Sequence, residues 1–150
     1  MKIPMNSLTA AAVLMVTSVA YAVYGVAQEL PTGVNIVTPT EFKWRGGQGG
    51  ESAVLLGEPR KSWRYVQRSK WPTNISNPPH QHPEDEEITV ISGTWYLGFG
   101  MTMDPGKAIA LPPGSFVVVP AKTWHFFLTK SDPVEVEFRG TGPRENVYTK

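Results

Sequence analysis

The sequence has 150 residues, 41% hydrophobic and 18% charged, which fits one folded domain and excludes a disordered tail or a multi-span membrane protein. A formal net charge of +1 gives no reason to expect nucleic acid as a partner, because nucleic-acid binding requires a clustered basic face. The absence of cysteine excludes disulfide bonds, thiolate metal ligands and thiol nucleophiles, and leaves the compartment open.

The chain begins with an apolar stretch from Leu8 to Tyr24, followed by Gly25 and Ala27, small residues with the spacing that a signal peptidase recognises. We therefore expect residues 1–27 to be a cleaved signal peptide, and the protein to be secreted or periplasmic with no membrane attachment beyond this segment. A retained membrane anchor is the alternative, because roughly 20 apolar residues suffice to span a bilayer.

Short strand-like segments separated by Gly- and Pro-containing turns follow an extended entry segment and glycine-rich loop, residues 28–50. The predicted strands are Ala53–Leu56, Trp63–Arg68, Glu86–Ile91, Thr94–Phe99, Ala108–Leu111, Phe116–Val119, Trp124–Leu128 and Val134–Phe138. No long helical pattern occurs after residue 28. The pattern predicts an all-β sandwich or barrel over residues 51–138, with residues 139–150 as a C-terminal tail.

Two of these strands give specific expectations for burial. Val134–Phe138 alternates apolar and acidic residues, so Glu135 and Glu137 should face water. Phe116–Val119 is apolar throughout and should be buried on both faces.

The three histidines of the chain are the main candidates for chemistry. His80 and His82 are two residues apart, and on a strand their side chains project from the same face about 6.5 Å apart, which lets both imidazoles reach one ion. His125 follows a predicted buried strand and a turn, and lies in a new aromatic strand.

Strand parity selects the carboxylate that accompanies them. If the segment stays extended, Glu86 shares the face of the histidines and Glu87 points away, with Ile88 and Val90 lining the same interior. A bulge at Pro83 would shift this register by one residue. Three imidazoles and one carboxylate suit one divalent transition metal: iron, manganese, nickel, copper or zinc.

The spacing of these candidates matches two motifs. They are His80-x-His82-x₃-Glu86-x₆-Gly93 and Gly114-x₅-Pro120-x₄-His125. They resemble the two motifs of the cupin superfamily, although Lys122 and Thr129 stand where Gly and Asn are usual. The resemblance implies a small jelly-roll β-barrel with one metal held by the four residues. The stretches Pro78–Pro83, Thr89–Trp95 and Leu111–Phe116 are similar to those of secreted single-domain cupins without a settled activity.

Several residues are candidates for a pocket beside the metal. Phe127 shares a strand face with His125. Together with Ile88 and Val90 it either forms an apolar wall beside the metal or packs in the hydrophobic core. Arg64 and Arg68, which share a face, either bind an anionic substrate or form a solvated strand surface. Tyr65 is a further candidate.

Two functions remain open at this point. The first is a metalloenzyme acting on a small oxygen-rich organic molecule, and the resemblance implies an oxygenase, decarboxylase, lyase or isomerase. The second is a non-catalytic module that captures or senses a small carboxylate or sugar at the metal. A purely structural metal is a third interpretation, and a homodimer is compatible with the sequence.

Overall fold

A computed structural model describes residues 29–47 and 49–149, so the expected signal peptide lies outside the described residues. Residues up to Asn35 form one unit, whose described part is exposed and contains a turn at Thr32 and Gly33. Residues from Ile36 onward form a second unit. Among the described residues, no helix has the length and apolarity needed to cross a membrane.

The second unit is all-β, with two 3-10 helices of one turn each at Pro39–Glu41 and Pro105–Lys107. The strands are β1 (Arg45–Gly47), β2 (Gly50–Leu56), β3 (Arg64–Trp71), β4 (Ser76–Gln81), β5 (Glu86–Ser92), β6 (Trp95–Phe99), β7 (Ile109–Leu111), β8 (Phe116–Val119), β9 (His125–Leu128), β10 (Val134–Thr141) and β11 (Val147–Tyr148).

The strands form two antiparallel sheets. One has the order β1-β2-β3-β10-β5-β8 and the other the order β11-β4-β9-β6-β7. Their apolar faces enclose one core, whose buried members are Tyr65, Ile88, Val90, Trp95, Leu97, Val119, Phe127, Val134, Val136 and Phe138. The all-β, single-domain jelly roll expected from the sequence is therefore confirmed.

Gly93 explains why the first motif closes on a glycine. It joins β5 to β6 with φ +72°, a backbone conformation that residues with a Cβ atom rarely adopt. An added Cβ would also collide with the Pro133 carbonyl oxygen. Gly93 therefore allows the chain to turn from one sheet into the other.

Two burial expectations are wrong. β8 is an edge strand whose outer face is uncovered, so that Phe116 is 58% and Val118 52% exposed. Glu137 lies on the outer face of β10, but it is only 9% exposed because Arg68 and Arg139 cover its carboxylate at 2.7 Å each.

Candidate metal centre

The three histidines come from two neighbouring strands of the five-stranded sheet. His80 lies in β4 opposite His125 at the start of β9, and His82 directly follows β4. All three side chains are buried, and one ring nitrogen of each lies within 4.8 Å of those of the other two. The fold thus brings together residues that are more than forty positions apart in the sequence.

Each imidazole is fixed by a backbone carbonyl at its Nδ1 atom. The pairs are His80 with Pro78 (2.8 Å), His82 with Glu145 (2.8 Å) and His125 with Thr123 (2.9 Å). Because a carbonyl oxygen only accepts, each Nδ1 must donate its hydrogen, which leaves Nε2 as the nitrogen with the lone pair. The Nε2 of His80 lies 3.4 Å from the Asn77 side-chain amide nitrogen. The Nε2 of His82 is buried without a hydrogen-bond partner among the described residues. This arrangement fits a cation, since metal-binding histidines are oriented in the same way.

The protonation of two of the histidines supports the same interpretation. Burial lowers the pKa of His80 to about 4, and burial also lowers the pKa of His125. Neutral imidazole is the form that binds metals. Both rings are therefore already in the binding form at neutral pH.

Glu86 faces the histidines from the opposite sheet. Its Oε2 lies 3.5 Å from Nε2 of His82 and 4.0 Å from Nε2 of His125. The cluster within 4.8 Å contains the histidines alone, so Glu86 stands at its border. The carboxylate presents one oxygen toward the Nε2 atoms and is positioned to complete a set of three nitrogens and one oxygen.

The assumption of one extended segment from His80 to Glu86 is wrong. β4 ends at Gln81, and the chain turns over residues 83–85 and enters the other sheet. Glu86 is nevertheless buried and Glu87 exposed, because β5 begins a new alternation at Glu86. Residues 80, 82 and 86 therefore meet across the barrel instead of along one strand.

The other oxygen of Glu86 accepts a hydrogen bond from Arg144. This residue lies in the segment 139–150, for which the sequence predicts only a C-terminal tail. Arg144 Nε donates to Glu86 Oε1 at 2.5 Å, and its guanidinium lies 4.5 Å from the centre of the Phe138 ring. Burial alone would raise the pKa of Glu86, but Arg144 and His82 outweigh it and lower that pKa to about 2. The buried carboxylate is therefore ionised.

The segment around Arg144 covers the site. We call residues 142–148 the C-terminal strap: within it Glu145 accepts from His82, and β11 pairs with β4 so that Tyr148 lies opposite His80. The space lined by Tyr65, His82, Glu86 and Arg144 is too small for a water-sized molecule. No local pattern in the sequence signals this segment, since its partners at the site lie 58 or more residues away.

Comparison with known proteins agrees with this geometry. The sequence profile of the Cupin domain matches residues 70–138, the range that contains all three histidines and Glu86. The domain is a cupin. No curated protein sequence matches the chain.

Solved structures resemble this cupin in fold. The polyketide cyclase RemF from Streptomyces resistomycificus is 22% identical with a TM-score of 0.63, covering 78% of this chain and 87% of its own. KdgF from a Halomonas species is 20% identical with a TM-score of 0.57, covering 74% of this chain and 96% of its own. The DMSP lyase DddQ from Ruegeria pomeroyi DSS-3 is 21% identical with a TM-score of 0.59, covering 73% of this chain and 62% of its own. At these identities the likeness concerns the fold alone.

The two departures from the usual cupin motif leave the local structure in place. Lys122 adopts φ +62°, a conformation natural to the usual Gly, and its backbone N–H donates to the His82 carbonyl at 2.8 Å. Thr129 donates its hydroxyl to the Pro72 carbonyl at 2.6 Å and accepts from the Ile75 N–H at 3.1 Å. The loop before His125 is thereby held against the segment that carries His82.

The remaining pocket candidates divide into core and surface. Ile88, Val90 and Phe127 belong to the core of the cupin barrel, where Phe127 packs against Trp71 and Trp95 at 4.8 and 5.4 Å. Tyr65 is 2% exposed and lies beside Arg144 and Glu86, and burial raises its pKa to about 12.

The two strand arginines do not reach the histidines. Arg64 is exposed, and its guanidinium lies 5.3 Å from the Trp63 ring centre. Arg68 is on the outer face of the sheet and binds Glu135 at 2.9 Å and Glu137 at 2.7 Å. The structure therefore places both in the solvated strand face and neither in a pocket at the metal centre.

Proposed function

We propose that this cupin binds one divalent transition metal through Nε2 of His80, His82 and His125 and Oε2 of Glu86. The observation that carries the proposal is the orientation of the three imidazoles, whose Nδ1 atoms are all bound to backbone carbonyls. Iron, manganese, nickel, copper and zinc all suit this set of donors. The metal centre would work outside the cytoplasm, after removal of residues 1–27.

We further propose that the protein is an enzyme acting on a small oxygen-rich organic molecule. A metal of this kind supplies Lewis-acid or redox chemistry. Arg144 holds Glu86 ionised and in one orientation, while the buried hydroxyl of Tyr65 keeps its proton at neutral pH and accepts a hydrogen bond from Arg144. Other acid–base groups are scarce among the described residues around the site, which favours chemistry that depends on the metal.

The similar folds support an enzyme without identifying a reaction. RemF is described as a polyketide cyclase and DddQ as a DMSP lyase. Fold alone does not choose among such activities. The residues of this chain must therefore decide the substrate.

A non-catalytic binding module is the second candidate, favoured by the C-terminal strap. The strap places Arg144 against Glu86 and the Glu145 carbonyl against His82. A protein that only binds a ligand at the metal, without converting it, does not require rapid entry and release of the ligand past the strap.

The metal assignment is tested by quantifying bound metal in the mature protein. We expect one metal per chain in the natural sequence and loss of it in His80→Ala, His82→Ala and His125→Ala, because each loses one of the converging lone pairs. Gln81→Ala on the same strand is the matched control and should keep the metal. Stoichiometric metal in two or more histidine variants that still fold, as judged by circular dichroism, would contradict the site.

Catalysis is tested on protein reconstituted with each of the five metals. Oxygen uptake and product formation are measured across small acids, phenols and sugars. Turnover that disappears in His125→Ala supports the enzyme. Tight, reversible binding of a small molecule at the metal centre, without turnover under any of the five metals, establishes the binding module instead.

A further inference from the structure

A second concave surface shares Arg144 with the surroundings of the metal centre. It is a cleft of about 830 Å³, within the size range of small-molecule sites. Its lining includes five basic side chains and one acidic side chain: Lys43, Arg45, Arg60, Lys61, Arg144 and Glu58. We call it the basic cleft.

The charges in the basic cleft are not balanced by the protein. Among the described residues, Lys43, Arg45, Arg60 and Lys61 form no ion pair within 4.0 Å. Outside the cleft, Arg68, Lys107 and Arg139 each pair with an acidic side chain. Like charges gathered in a concavity repel one another and create a positive potential that attracts anions.

The floor of the basic cleft offers hydrogen-bonding groups. Ser52 and Gln67 line it from β2 and β3. Both are tied to Ser69, by a 2.8 Å contact between the two hydroxyls and by a 3.1 Å hydrogen bond from Gln67 Nε2. A polar floor below several cations is suited to a molecule that carries oxyanions on a polar framework, and unsuited to an apolar ligand.

One side of the basic cleft is formed by the C-terminal strap, which also contacts the metal centre. Arg144 donates its backbone N–H to the Pro59 carbonyl at 2.6 Å, and Gly142 donates to the Trp63 carbonyl at 2.8 Å. These bonds fix the strap against the loop that carries Arg60 and Lys61. The same Arg144 side chain that lines the cleft binds Glu86, so one residue belongs to both sites.

We propose that the basic cleft binds a small organic molecule with two or more carboxylate or phosphate groups. Apart from Arg144, which is paired with Glu86, the lining has four basic residues and one acidic residue, a net excess of three positive charges. This excess, the size of the cleft and its polar floor select this class of ligand. Binding of the anion is independent of the metal. Its role as the substrate's anchor beside the metal centre rests on the function proposed above.

Calorimetric titration of the mature protein tests the proposal with four probes. Tricarballylate and its uncharged trimethyl ester form the carboxylate arm, and fructose 1,6-bisphosphate and fructose form the phosphate arm. We expect at least one acid to bind while its neutral counterpart does not, with weaker binding as salt rises. The arm that binds more tightly identifies the anionic group. If neither acid binds better than its neutral counterpart at low salt, the proposal is wrong.

Matched variants locate the binding. Arg60→Gln with Lys61→Gln should weaken binding about tenfold, which corresponds to about 1.4 kcal/mol for the loss of two exposed charge contacts. Lys107→Gln with Lys130→Gln removes the same charge outside the cleft and should have little effect. An equal loss in both pairs would mean nonspecific attraction and overturn the site.

The two proposals fail separately in these experiments. The Arg60 and Lys61 variant should lose anion binding and keep one metal per chain, whereas His125→Ala should lose the metal and keep anion binding. Failure of the metal assay alone leaves the basic cleft intact as an anion site, and failure of the anion titration alone leaves the metal centre intact.

Discussion

Replacing Arg144 with Gln should destabilise the metal-free protein through Glu86. The Glu86 side chain is 3% exposed, so loss of the guanidinium leaves a buried carboxylate without its counter-charge. Breaking a fully buried ion pair costs about 3–5 kcal/mol. Arg144 itself is 21% exposed, and water that enters where it stood would recover part of this cost. We therefore expect a loss of about 2 kcal/mol in the free energy of unfolding.

Urea denaturation of the wild type, Arg144→Gln, Glu86→Gln and the double variant measures this effect. The double variant has no buried charge left to compensate, so its loss should be much smaller than the sum of the two single losses. An Arg144→Gln protein as stable as the wild type would refute the reasoning, and so would single losses that simply add.

The same four proteins link this ion pair to the metal centre. A bound cation would supply Glu86 with a new counter-charge, so saturating metal should reduce the destabilisation caused by Arg144→Gln. Glu86→Gln should gain less stability from metal than the wild type does, because one of its ligands is weaker.

Three further results are expected. Glu86→Gln should lower metal affinity sharply in calorimetric titrations and Glu87→Gln should change it little, because only the former faces the histidines; the reverse would move the ligand to Glu87. Burial raises the pKa of Glu137, but Arg68 and Arg139 outweigh it and lower that pKa below its ordinary value of 4.5. The stabilisation by the ion pairs of Glu137 with Arg68 and Arg139 is therefore complete above about pH 4.5. It is lost as pH falls through the lowered pKa of Glu137 in the folded state. Urea midpoints measured against pH should lose this acid dependence in Glu137→Gln; an unchanged profile would show that the pair contributes nothing. Mass spectrometry of the natural product should find a chain beginning near Gln28, and retention of residues 1–27 would indicate a membrane anchor.

The strands with one buried face could be predicted from sequence because their alternation is local. β10 begins at Val134, as its alternation of apolar and acidic residues predicts. Phe116–Val119, which is apolar throughout, has the predicted bounds of β8. Which faces are covered depends on neighbours that the local sequence does not reveal, which is why the burial of β8 was wrong. An edge position leaves half of an apolar strand in solvent.

β4 was missed because it carries Pro78 and Pro79, which normally exclude a central strand. Its pairing with β9 is irregular between Asn77 and His80, where the prolines donate no backbone hydrogen bond. The sequence therefore predicts no strand between Arg68 and Glu86.

The candidate site was predictable to the extent that its residues follow motif spacing. His80, His82, Glu86 and His125 do meet in space. Arg144 was not predictable, because its role comes from a contact with a residue 58 positions earlier and from no pattern around it.

The three imidazoles differ in how their orientation is acquired. His80 and His125 take their Nδ1 acceptors from carbonyls two residues away, so each can be oriented as soon as its own strand forms. His82 takes its acceptor from Glu145, 63 residues later in the chain. Two of the rings are therefore oriented by nearby backbone, whereas the third is oriented only when the strap packs against the barrel. A complete set of oriented imidazole donors therefore requires the strap to be in place.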